Sequence, residues 1–295
     1  MKCLPKTVLF EVFLLAGSLF ASVCFMRSDG ASPSGVRSDD ASPSGVRSNG
    51  ASPSGGNFTE MAYVMLGGFR GILSEIVWFQ ADRLESRGEY SRLAQIAACM
   101  TRLEPHTPEV WCYAAWNLAF NVSASMPTAE ERWNWVKAGL DLLKRDALAL
   151  NPANPVLAKE VAWIYLVKLS SNLDDAADYY RREYRREIEE KGLEAAGFER
   201  YGMEKTEKAF GEQDWGTAEA AALYHLSSAL DAAKGRERED LLRMAFQALL
   251  FETVRNRAKL PKLVEILDIL EKEFNPKDIP ALREAVANRF KKVEG

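Results

Sequence analysis

The chain has 295 residues, 47% of them hydrophobic, and a formal net charge of -4 from 38 basic and 42 acidic side chains. That length allows an ample core in one extended domain or two small ones, and the near-balanced charge makes no global case for nucleic acid. Two histidines are few for a metal or acid/base enzyme, and four cysteines without a close CxxC pair imply no zinc site, no thioredoxin-like motif and no disulfide framework.

Residues 1–26 form the first unit. Lys2 and Lys6 precede a run from Thr7 to Met26 whose only charge is Glu11, and such a run is long enough to cross a hydrocarbon core of about 30 Å. It is expected to be a signal peptide or a signal anchor, contacting the membrane through residues 7–26. The lysines predict a cytoplasmic N-terminus with the body outside the cytoplasm, in a bacterial cell envelope, or secreted if the segment is cleaved. Ala21-Ser22-Val23-Cys24 resembles a bacterial lipoprotein processing site, with Val23 where that family prefers a small residue. Glu11 fits a carboxylate that snorkels to the interface from one turn inside the membrane. Thr7 to Val12 also resembles the start of a type IV pilin, whose glutamate pairs with a neighbouring subunit, but Lys6 stands where that family needs glycine.

Residues 27–57 are a tandem decapeptide, Arg27-Ser28-Asp29-Gly30-Ala31-Ser32-Pro33-Ser34-Gly35-Val36 repeated from Arg37 and again from Arg47. With no apolar side chain larger than valine in the repeat, it cannot bury enough surface to offset the cost of ordering, and a flexible spacer is expected.

After Asn57 the composition changes. Met61 to Arg87 has apolar residues at helical spacing, with a kink or close helix approach expected at Gly67, Gly68 and Gly71, and Gly88-Glu89-Tyr90 is a turn. A second helix, Ser91 to Leu103, is stopped by Pro105, and a third opens at Pro108 with Trp111 facing inward, because proline fits a first helical turn and not an interior. The stretch from Leu103 to Trp111 is therefore a joint between helices. A similar joint returns at Asn151-Pro152-Ala153-Asn154-Pro155.

Gly88, Tyr90, Leu103, Pro105 and Trp111 match the tetratricopeptide repeat in type and spacing, with Leu93 and Ala97 at positions that this family fills with alanine and an aromatic. The resemblance extends to membrane-anchored bacterial proteins with a tetratricopeptide-like body, in the stretches Gly67-Gly68-Phe69-Arg70-Gly71, Trp116 to Asn121 and Arg132-Trp133-Asn134-Trp135. It implies an all-α solenoid of antiparallel helix pairs behind the N-terminal transmembrane or signal helix. Pro105 to Pro152 spans 47 residues, about 13 more than the family period of about 34. The excess is expected as a rim loop around Asn121 to Pro127, before a helix capped by Thr128 with Glu130 and Glu131 in its first turn. A third pair runs from Pro155 past Trp163 and Tyr165, turns at Ser170-Ser171-Asn172 and continues through Ala176 and Tyr180. The repeats are placed at 58–191, a glycine-containing connector at 192–216, and further helical repeats with a capping helix at 217–295.

Six of the seven tryptophans lie between Trp78 and Trp163, and core packing is the expectation for the set. The family register places Trp78, Trp116 and Trp163 near the inner face that lines the concave groove, with Asp82, Glu85 and Lys159 on the same surface. These six residues are the expected partner-binding groove. Its acid and tryptophan differ from the lysine and asparagine with which groove members of the family clamp a peptide carboxylate. Cys99 and Cys112 flank the first joint, where antiparallel packing can bring them level. Arg181, Arg182, Arg185 and Arg186 alternate with Tyr179, Tyr180 and Tyr184, but Glu183, Glu187, Glu189 and Glu190 at helical spacing make this a solvated, ion-paired face rather than a nucleic-acid surface. Asp174 and Asp175 fit a helix start.

The expected function is a membrane-tethered, non-enzymatic scaffold that binds a partner protein or peptide, without cofactor or metal. A cell-envelope enzyme or glycan-binding accessory protein using the Trp and acid groove is the alternative, and a pilus-like assembly subunit the third.

Overall fold

The computed structural model describes residues 70–291. The signal segment at 7–26, the decapeptide spacer at 27–57 and the expected kink at Gly67-Gly68 lie outside the described residues. The described chain is all-α, without a strand, and none of its helices is long and apolar enough to cross a membrane.

Helix α1 (Arg70–Ser86) ends at Gly88, whose φ of 69° needs a residue without a Cβ. Helix α2 (Tyr90–Leu103) runs back against it. Helix α3 (Pro108–Trp116) opens with proline in its first turn and passes directly into a π-helical stretch, Asn117–Val122. Helix α4 (Ala129–Asp141) begins with the expected cap: Glu131 N–H donates to the Thr128 hydroxyl at 3.2 Å and Thr128 N–H to the Glu131 carboxylate at 3.3 Å. It continues through a second π stretch, Leu142–Ala147, to a last turn at Leu148–Leu150. Helix α5 (Pro155–Ile164) is capped by Asn154, which accepts from Val156 and Leu157, and ends in a third π stretch, Tyr165–Ser170.

The predicted rim loop is therefore a correction. Helical structure persists through Ala124, and only residues 125–128 connect α3 to α4. Val122 and Ser123 are fully buried, and the Ser123 and Ser125 hydroxyls donate back to the Ala119 and Val122 carbonyls, so polar residues that read as a loop are accommodated on the helix. The extra length lies in longer helices, not in a loop.

Helix α6 (Ala177–Ala195) breaks at Gly192, where φ is 81°. The stretch 192–216, expected as a connector, contains helix α7 (Arg200–Phe210), which packs on helix α8 (Ala218–Leu230). Gly202 makes that approach possible: a Cβ there would come within 2.6 Å of the Tyr224 ring. Helices α9 (Gly235–Arg255), α10 (Leu260–Phe274) and α11 (Ile279–Lys291) complete the described chain. Helix α8 packs on α5 and α9, and α9 also reaches α5. One buried core runs from Trp111 through Leu157, Tyr180 and Leu223 to Val286.

The two proline joints are bonded to each other. Trp111 is buried, and its indole N–H donates to the Pro105 carbonyl at 2.9 Å. The Asn151 side-chain amide donates to the same carbonyl at 3.1 Å and to Ala147 at 3.1 Å. A second brace is the ion pair of buried Lys168 with Asp174 at 2.8 Å; Lys168 also contacts the Ser123 hydroxyl at 3.4 Å and the Phe120 ring at 4.8 Å. Burial alone would raise the Asp174 carboxyl, but Lys168 and the Ala176 N–H hold it below its usual range.

Asn151→Ala removes both amide bonds, and an expected loss of about 1–2 kcal/mol follows. Denaturant unfolding measures it against Asn134→Ala, an exposed change expected to stay within about 0.5 kcal/mol.

Candidate functional site

The six residues expected in the groove fall into separate settings. On α1, half-buried Trp78 lies against Tyr113 of α3 with ring centroids 5.1 Å apart, the Tyr113 hydroxyl donates to Glu85 at 3.0 Å, and Asp82 is exposed. Burial first, then Glu85 and Asp82, raise the Tyr113 phenol, which stays protonated. Trp116 is half-buried and stacks on Phe120 of its own helix at 5.8 Å. Lys159 and Trp163 stand together one turn apart on α5 and line an open groove.

The groove, about 340 Å³ in volume, lies between α5 and α9 and is lined by Lys159, Glu160 and Trp163 on one side and Asp240, Arg243, Met244 and Gln247 on the other. The α5 residues recur at i, i+1 and i+4, and the α9 residues at i, i+3, i+4 and i+7, so each set occupies one helix face. Trp163 is 42% exposed, a large apolar surface to leave in water, whereas Met244 opposite is buried. The volume falls in the range of small-ligand and side-chain pockets.

The charges in and around the groove are unequally satisfied. Lys159 pairs with Asp240 across the groove at 3.0 Å, with both side chains about 40% exposed, so solvent screening leaves the pair weak. Arg243 makes a forked pair with Asp278 at 2.8 and 3.0 Å and a further bond to Glu239 at 2.9 Å, so its guanidinium is committed. Glu160 differs. Its Oε1 is buried without a hydrogen-bond partner among the described residues. Burial pushes its carboxyl up to about 7, against a smaller opposing pull from Lys159.

Cys112 of α3 is electrostatically coupled to Glu160. Burial, then Glu160 and Glu109, push its thiol up to about 12, so it is protonated and a poor nucleophile or metal ligand at neutral pH. No disulfide joins Cys99 and Cys112. His225 is buried, stacked on Tyr165 at 6.4 Å and edge-on to Tyr224 at 5.2 Å; burial, assisted by Lys144, lowers it to about 3, so it is a neutral core residue. In the arginine-rich stretch of α6, Arg181 pairs with Asp178, Arg185 with Asp214 at 2.8 Å and Arg186 with Glu183, while Glu187 bonds Lys137 at 2.5 Å and Lys191 at 2.9 Å. Most of that charge is spent within α6 itself, with Lys137 of α4 and Asp214 before α8 taking the rest. Among the described residues no group of three or more His, Cys, Asp or Glu side chains has metal-binding geometry.

The sequence pointed to Lys159 and Trp163 but missed Glu160 and the whole α9 wall. The i, i+3, i+4, i+7 face of Asp240, Arg243, Met244 and Gln247 was a legible signal, yet only tertiary packing brings it to α5. Comparison with protein-family models, curated proteins and solved structures found no match.

The shift at Glu160 has a definite sign in stability. Its folded value of about 7 lies above the unfolded value near 4.5, so the native state binds more protons between them and loses stability as pH rises through that window. Glu160→Gln is therefore expected to stabilise the protein at pH 8 by about 2–3 kcal/mol and to change little at pH 4. Denaturant titrations at both values decide it, and an equal effect at both would contradict the assignment.

Proposed function

We propose that this chain is a membrane-tethered scaffold of tetratricopeptide type, with its body outside the cytoplasm, that holds a partner protein or peptide. The proline joints, the short turns and the alternation of paired helices support the repeat architecture. The lysine-flanked apolar run from Thr7 to Met26 supports the tether, and the spacer after it gives the body reach.

The observation that carries the binding reading is the groove between α5 and α9. Its exposed Trp163 offers an amphipathic anchor of the kind that dominates recognition surfaces, above a buried apolar floor at Met244 and between polar side chains that can orient a ligand. A partner engaged there would be concentrated at the membrane by the tether. One feature favours glycan binding as a second reading, because an exposed indole beside a carboxyl that titrates near neutrality also suits a sugar ring.

A photo-crosslinking residue at Gln247, on the groove rim, is expected to trap one defined species in membranes, and the same residue at exposed Lys208 on α7 is not. Trp163→Ala should lower the Gln247 yield by about tenfold or more. A protein adduct supports the scaffold, a cell-wall fragment supports the glycan reading, and identical adducts from both positions would refute a groove-specific partner.

A further inference from the structure

The groove is rich in acid once its neighbours are counted. Lys159 and Arg243 are the bases, facing Asp240, Glu239, Asp278 and Glu160, and each base is already paired. Lys159 reaches across to Asp240 instead of serving its neighbour Glu160. Glu160 lines the groove on the same helix face as an exposed indole, with its Oε1 buried and without a donor. A carboxyl short of donors beside an aromatic face is complementary to a planar cation, which can approach the carboxyl from the groove while lying on the ring.

We infer that the groove recognises a basic side chain of a peptide partner, with the Glu160 carboxylate as its counter-ion and the Trp163 indole as the face it lies against. This rests on the peptide-binding role proposed above and names the chemistry recognised. The groups near Glu160 are Lys159 on its own helix, Cys112 on α3, and Asp240 and Arg243, which line the same groove from α9. Cys112 stays neutral, Arg243 is committed to Asp278 and Glu239, and Lys159 bonds Asp240 across the groove, so an incoming cation meets no base bonded to the carboxylate. Above pH 7 the carboxylate is ready to pair. Below it, a proton must leave on binding, so affinity for a cation falls as the solution is acidified.

The test uses the full chain in detergent and a fluorescein-labelled nonapeptide of glycine, serine and leucine with one central arginine, compared with its uncharged citrulline counterpart. At pH 8 the arginine peptide is expected to bind about tenfold more tightly, an advantage that shrinks to about twofold at pH 6. Glu160→Gln should abolish the preference at both pH values, with the helical circular dichroism intact. Glu212→Gln, an exposed acid after α7, should preserve the preference and so exclude a general charge effect. Equal binding of the two peptides to the wild type at pH 8, binding of neither, or a preference that survives in Glu160→Gln overturns the inference. If Gln247 crosslinking persists in any of those cases, the groove still has a partner and only the basic side chain is wrong; if crosslinking is also absent, the binding role itself falls.

Discussion

The carbonyl of Pro105 is the point on which the helix order depends. It receives the Trp111 indole from the start of α3 and the Asn151 amide from the end of the α4 segment, so one acceptor closes two joints. A proline carbonyl at a helix end has no successor N–H within its own helix, and both donors come from side chains that are otherwise hard to satisfy in a core. Trp111 is thereby turned inward, which sets the rotation of α3. Asn151 fixes where the α4 segment ends, and three residues later Asn154 caps α5. The orientation of Lys159, Glu160 and Trp163 on α5 follows from that chain of local choices.

The wall opposite is fixed differently. Helix α9 is held to the C-terminal helices by ion pairs, Arg243 with Asp278 before α11 and Arg238 with Glu273 on α10. The pair to Asp278 commits the Arg243 guanidinium, which lines the groove. The single salt bridge across it, Lys159 with Asp240, joins two half-exposed side chains and is easily opened. Arg243 is thus committed to Asp278, Lys159 to Asp240 across the groove, and Glu160 is left over.

Much of the helix order was legible because its signals are local. Pro105, Pro108, Pro152 and Pro155 punctuate the chain, Thr128 and Glu131 make a reciprocal cap, and the inward Trp111 was placed by spacing alone. The π stretches at Asn117–Val122, Leu142–Ala147 and Tyr165–Ser170 were not legible, because a π turn adds residues without any distinctive local composition. They also limit how far a helical register can be extrapolated. Lys159 and Trp163 precede the π stretch of their helix and lie together in the α5–α9 groove, whereas Trp116 stands at the edge of one and packs on Phe120 within its own helix. Around Asn121 to Pro127 the loop-like composition misled because Val122 and Ser123 are buried, a tertiary fact. Asp240 to Gln247 contribute to the groove from about eighty residues away, and no local pattern on α5 announces them.

Glu160 and His225, two strongly shifted groups, pull stability in opposite directions. Glu160 titrates near 7 in the fold, so its contribution worsens as pH rises from about 4.5 to 7; His225 titrates near 3, so its contribution worsens as pH falls from about 6.5 to 3. Between 4.5 and 6.5 the native state holds one extra proton at Glu160 and the unfolded state one at His225, and the two terms cancel in slope. Outside that interval they differ in kind. His225 is enclosed by Tyr165 and Tyr224, whereas Glu160 lines the open groove. Of the two costs, only the one at Glu160 arises at the border of an open groove, where the surroundings of the carboxyl differ from those of an enclosed core group.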